Sequence, residues 1–391
     1  MRNIRPKLTA ASAMLVAVFC LAAATRADFY DVPSPLPSGA PGSVIWSRPF
    51  TGGALLRTAA SNTLVLYHTV SAGGRDVAVS GTIAIPKGTA PAGGWRVMSW
   101  AHGTTGNAPQ CAPSKFSQPN IEQRFLERWV SDGFAVVQTD YEGEGTPGLH
   151  PYFAGVSGAH DVIDIVRAAK HLNPALSDRW IAMGHSEGGS VVLFVAATAN
   201  SWAPELHLLG AVAYAPASDI PDFFGQMTVS REPTAEMPLL GMMIEGIAST
   251  DPRVDLKDVL SPKGLALLPV LQSDCVGALM KSSAWTTIPP ADIFAPNARS
   301  STLMQDFFAN EPSHLRVQAP LLIEQGTSDT LVPYEGSASL RLSFCGNGSH
   351  PELDAVKGGT HDSAMALSYD HASTWIADRL SGKPALGNCP A

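Results

Sequence analysis

The segment Trp180-Ile181-Ala182-Met183-Gly184-His185-Ser186-Glu187-Gly188-Gly189-Ser190, with the apolar run Val191 to Ala197 behind it, constrains this chain more than any other. It reads as a buried strand, a tight turn and then a helix. Gly184 and Gly188 flank Ser186 in G-x-S-x-G spacing, so strand and helix can pass closely while the serine takes a strained backbone angle that exposes its oxygen. A serine alcohol alone is a weak nucleophile, so the arrangement is useful only if a base and an orienting acid reach it from elsewhere. Short G-x-S-x-G matches arise by chance, and a helix-capping serine is the bland alternative. The strand before Gly184 and the helix after Ser186 set this match apart, whereas Gly155-Val156-Ser157-Gly158-Ala159 lacks the last glycine.

Composition bounds the rest. The chain has 391 residues, 45% hydrophobic and 15% charged, as in a well-buried globular enzyme rather than a disordered or fibrous chain. Residues 1–27 place Arg2, Arg5 and Lys7 before the apolar run Leu8 to Ala24, with Thr25-Arg26-Ala27 as a cleavage site. This is the pattern of a signal peptide and implies a secreted or periplasmic protein; an uncleaved anchor is the alternative. Its removal deletes four basic residues and no acidic one, taking the formal charge from -8 to -12. Such a surface repels phosphate backbones, so nucleic acid is not expected as a partner. Cys111, Cys275, Cys345 and Cys389 then remain. An even count in an exported chain predicts two disulfides, with three connectivities open. Neither C-x-x-C nor H-E-x-x-H occurs, so no metal and no cofactor is expected.

Along the chain, residues 28–50 are proline-punctuated and read as an extended entry arm. Leu64–Val70 and Val77–Ile85, joined across Gly73-Gly74, predict an antiparallel hairpin at the sheet edge. From Trp95, short apolar runs (97–100, 134–138, 180–183, 208–214) alternate with helical stretches near 121–131 and 159–172. That alternation predicts an α/β fold, a mostly parallel central sheet with helices on both faces. A proline-rich stretch, 217–317, interrupts it with helical pieces such as 237–248 and 265–271, and is expected to be a helical cap inserted into a core of 28–216 and 318–391. Within it, Met237 to Ile244 is either the lining of an acyl channel or ordinary cap core. The sheet resumes at Pro320–Gln325, a helix follows near 337–344, and a last strand covers 353–356.

Three residues then fall directly after strands: Ser186, Asp329 and His361. That is the chain order of an α/β-hydrolase triad, and in an open parallel sheet all three converge at the carboxyl ends of the strands. His361 is the expected base and Asp329 the acid that orients it; His350 precedes the last strand and His371 sits in the closing helix, while Asp354 lies within a strand and Asp362 beside the histidine. The oxyanion donors are expected to be the backbone amide of Glu187 and that of Gly103 or Thr104, in the loop Ala101-His102-Gly103-Thr104-Thr105-Gly106. Glu142 and Glu144 could be paired catalytic carboxylates, but read better as solvated loop acids or supports. His160 and His171 read as surface residues.

These residues resemble a family, the secretory lipases of the α/β-hydrolase superfamily, which includes fungal lipase A-type enzymes. The matching pieces are Trp100 to Gly106, Cys111-Ala112-Pro113-Ser114, Asp140 to Gly148, Gly184 to Gly189 and Gln325 to Pro333. The resemblance implies metal-free hydrolysis of carboxylic esters by a serine triad, small-molecule or lipid esters as substrates, and transient contact with lipid interfaces. It also implies pairing of Cys111 with Cys275 and of Cys345 with Cys389. Glu187 departs from the pattern, which commonly has glutamine there. Acyl transfer or peptide cleavage by the same triad, or a non-catalytic binding protein of this fold, are the competing expectations.

Overall fold

The computed structural model describes residues 28–390; the expected signal peptide lies outside the described residues. Nine strands form one sheet: β1 (Val44–Pro49), β2 (Ser61–Val70), β3 (Asp76–Ile85), β4 (Trp95–Ala101), β5 (Phe134–Thr139), β6 (Leu176–His185), β7 (His207–Tyr214), β8 (Leu321–Gly326) and β9 (Glu352–Val356). Their spatial order is β1-β2-β3-β5-β4-β6-β7-β8-β9. Pairs up to β3·β5 are antiparallel and the six strands from β5 to β9 run parallel. This is the α/β-hydrolase architecture, with the parallel part buried on both faces as its unbroken apolar runs require. The hairpin forms as expected but is not the edge: β1, inside the entry arm, pairs outside it. Three prolines between Val32 and Pro37 and a further one at 41 hide the short β-branched run that follows.

Helix α1 (Ile121–Ser131) starts at a reciprocal Asn120/Gln123 capping box and ends before Gly133, whose φ of 87° a side chain would resist. It packs Phe125 and Trp129 with Trp100, Tyr369 and Trp375 on one face of the sheet. Helices α2 (Gly155–Leu172) and α3 (Glu187–Trp202) cover the other face. Truncating Trp129 in that layer would cost about 3–5 kcal/mol.

Residues 217–317 hold α4 (Ile220–Met227), α5 (Met237–Ala248) and further helical pieces around an apolar cluster that also takes in Tyr152, Phe153 and Ala154. The expected helix over 265–271 is two pieces, Pro262–Leu265 and Leu268–Leu271. Pro269 lacks the amide that would continue the first, and its ring collides with the carbonyl four residues back. Cys111–Cys275 ties this helical segment to the body, and Cys345–Cys389 ties the tail to the helix Tyr334–Gly346. These are the pairs that the resemblance implies. Among the described residues no helix is long and apolar enough to cross a membrane.

Candidate active site

Ser186 sits between the last residue of β6 and the first of α3 with φ 58° and ψ -115°, a strained backbone for a residue with a side chain. The flanking glycines make the turn possible. A Cβ on Gly184 would strike the Gly188 carbonyl, and one on Gly188 would strike the carbonyl of Ala101 in β4. The Ser186 side chain makes no capping hydrogen bond to α3, so the capping alternative does not hold. It lines a cavity of about 650 Å³ together with Gly103, Thr104, His185 and His361.

The loop after β8 carries Asp329, and the loop after β9 carries His361. Asp329 Oδ2 lies 2.9 Å from His361 Nδ1. A carboxylate only accepts, so Nδ1 bears a proton, and in the neutral ring Nε2 then keeps its lone pair. Asp329 is held in turn by the amides of Leu331 and Val332, each 2.9 Å from Oδ1, and by Gln325 Nε2 at 3.1 Å. The Ser328 amide donates to the Gly359 carbonyl at 2.9 Å and stitches the two loops together. Burial alone would raise the Asp329 carboxyl; the bond to His361, its charge and the two amides outweigh this and hold it below the ordinary carboxylate range. The rival histidines are elsewhere: His371 pairs with Glu324 at 2.8 Å, and His350 is exposed.

The loop after β4 narrows the oxyanion assignment. The Gly103 amide donates to Glu122 Oε1 at 2.9 Å, so Gly103 is already engaged and is set aside as a donor. Among the described residues the Thr104 amide has no protein acceptor. The Glu187 amide, first in α3, is likewise without a partner inside the helix.

Buried polar groups surround this site, and sequence reasoning missed most of them. Glu122 accepts from Gly103 and from Trp100 Nε1 and lies 3.4 Å from His185 Nδ1. Burial pushes its carboxyl up, yet His185, His102 and the Gly103 amide hold it below the ordinary range, and Glu122 conversely raises His185 against the effect of burial. Glu144 is not solvated: it is 0% exposed and accepts from Thr105 Oγ1 at 2.8 Å. Burial, then the neighbouring Glu187 charge, pushes it well above the carboxylate range, which favours its protonated form. Glu142 accepts from Ser157 Oγ at 2.6 Å. Glu187 bonds to His150 at 2.7 Å. His160 is half-buried, stacked on Trp202, rather than a surface residue. The signal for these supports is a charged or imidazole side chain beside a strand end, which a single sequence does not separate from a solvated one.

The apolar wall of the cavity comes mainly from residues 217–317, including Phe223, Leu239, Met243, Val276 and Met280. The methionine segment therefore divides: Leu239 and Met243 face the cavity, while Met237, Leu240, Met242 and Ile244 pack into the helical segment's core. Among the described residues, Glu324, Asp354 and His371 alone bring side-chain atoms close enough to share an ion, and none of the three lines the cavity.

Residues 112–388 match the family model described as secretory lipase. A probable inactive lipase of Mycobacterium tuberculosis is 24% identical over 91% of this chain and 82% of its own length. Lipase A of Moesziomyces aphidis is 24% identical over 82% of this chain and 72% of its own. Among solved structures, Candida antarctica lipase A in its closed state superposes with a TM-score of 0.77 at 20% identity, covering 93% of this chain and 88% of that one. The rice cell wall degrading esterase LipA from Xanthomonas oryzae gives 0.69 at 21% identity, over 88% and 100%. The chain belongs to the secretory lipase family.

Proposed function

We propose that the chain is an exported carboxylic ester hydrolase whose nucleophile is Ser186, base His361 and orienting acid Asp329. The 2.9 Å bond between Asp329 and His361 Nδ1, with Ser186 lining the same cavity as His361, carries the reading. His361 Nε2 takes the Ser186 proton as the oxygen attacks the ester carbonyl, and returns it to the departing alcohol. Water then repeats the sequence on the acyl-enzyme and releases the acid. The amides of Glu187 and Thr104 receive the developing oxyanion, each worth about 3 kcal/mol. Residues 1–27 serve as the export signal, and residues 217–317 serve as a cap whose apolar wall receives the acyl chain.

A non-catalytic reading is favoured by one observation, the similarity to a probable inactive lipase. Intact Ser186, His361 and Asp329 in hydrogen-bonded order weigh against it. Steady-state turnover of p-nitrophenyl esters from acetate to palmitate tests both. The proposal expects kcat/KM to rise by about fourfold per added methylene buried until the wall is filled. A folded protein that turns over no ester in the series would overturn it.

A further inference from the structure

Two oxyanion donors on separate pieces of chain must each be held to within about 0.5 Å of the productive geometry. One opens α3; the other sits in a loop without secondary structure. The short segment His150-Pro151-Tyr152 touches both. His150 is 3% exposed and its Nε2 lies 2.7 Å from Glu187 Oε1. Among the described residues the opposite oxygen of Glu187 is buried with no protein partner, so His150 is the side chain's anchor. The His150 amide donates at 3.0 Å to the carbonyl of Asn107, just beyond the Thr104 loop, and its ring stacks on Tyr141 at 14°. Tyr141 in turn donates its hydroxyl to the His102 carbonyl at 3.2 Å. Two residues on, the Tyr152 hydroxyl is 2.7 Å from Thr104 Oγ1.

The proton count at His150 is fixed by its partners. Nδ1 lies 3.0 Å from the Glu142 carbonyl, which only accepts, so Nδ1 bears hydrogen. A single proton then lies between Nε2 and Glu187 Oε1, and the pair is neutral overall whichever atom carries it. An unpaired carboxylate beside a developing oxyanion would oppose the charge that the amides are there to stabilise.

We propose that His150-Pro151-Tyr152 is the clamp that fixes the spacing of the two oxyanion donors, through the Glu187 carboxyl on one side and the Thr104 hydroxyl on the other. This rests on the ester-hydrolase reading above. His150 and Tyr152 are positioning residues.

The test measures the rate of fluorophosphonate labelling of Ser186, ester kcat and KM, and thermal unfolding on the whole exported chain. Tyr152→Phe and Thr104→Val each remove the same hydrogen bond; each slows labelling and kcat by about tenfold with little change in KM, and the double variant is no slower than either. His150→Phe keeps the stack on Tyr141 but strands the Glu187 carboxyl, slowing labelling by about a hundredfold. Adding Glu187→Gln recovers about tenfold of that. Losses that multiply in the Tyr152/Thr104 pair, or a folded His150→Phe protein that labels at the wild-type rate, overturn the clamp; if His150→Phe does not fold, the Tyr152/Thr104 pair alone decides. Wild-type protein that takes no label would remove the underlying reading and the clamp together, an outcome distinct from labelled wild type with multiplying losses.

Discussion

His185, the residue before Ser186, holds the backbone of His361: its Nε2 lies 3.0 Å from the His361 carbonyl oxygen. The other ring nitrogen faces Glu122 at 3.4 Å, and Glu122 also accepts the Gly103 amide. One carboxylate therefore ties the oxyanion loop to the loop carrying His361. Replacing it with glutamine keeps the shape but weakens the charge-assisted bonds. Glu122→Gln is expected to lower kcat by about ten- to a hundredfold with KM nearly unchanged, since small misplacements cost about that much. Steady-state kinetics on one p-nitrophenyl ester checks this.

Asp329→Asn should preserve the hydrogen-bonded geometry while favouring the tautomer with the proton on Nε2, where it blocks attack. The expected loss in kcat is about 10⁴-fold. Pre-steady-state kinetics would find both acylation and deacylation slowed; a variant within tenfold of wild type would show that Asp329 does not orient His361.

The Cys111–Cys275 bond closes a sequence separation of 164 residues between the site's rim and the helical segment 217–317. Beside it, the Val276 amide donates to the Thr105 carbonyl at 2.8 Å. Replacing both cysteines by serine should destabilise the fold by about 2–4 kcal/mol. Thermal unfolding reads the loss, and an unchanged Tm would mean that the crosslink adds nothing.

His371 gives a pH signature of its own. The hydrogen bond to Glu324, against the effect of burial, raises the ring to about 9. A histidine raised on folding stabilises fully below its unfolded value of about 6.5, and the contribution is lost as pH rises through the folded value. Burial raises Glu324 itself to about 7, so both partners are charged only between about pH 7 and pH 9, and the Tm gap between wild type and His371→Gln should close as pH rises above about 9. A gap that widens above pH 9 would show that the ring is not charged against Glu324.

The sheet was legible because buried parallel strands are written as apolar runs, and the positions of Ser186, Asp329 and His361 because each follows such a run. Strand β1 was hidden by the prolines around it, and the break at Pro269 by the apolar residues on both sides of it. In the site, the sequence left Gly103 and Thr104 equal, since nothing local says that a carboxylate on α1 claims the first amide. Glu122, Glu144, His150 and Tyr152 owe their roles to burial and to partners 19 to 63 residues away in the chain, contacts without a local pattern.

The most direct test of the central claim is covalent. Fluorophosphonate-treated protein, digested and analysed by peptide mass spectrometry, is expected to carry one adduct, on Ser186, and Ser186→Ala is expected to carry none while unfolding at the same temperature. Folded wild-type protein without an adduct, or with one on another residue, would contradict the assignment of Ser186 as the nucleophile.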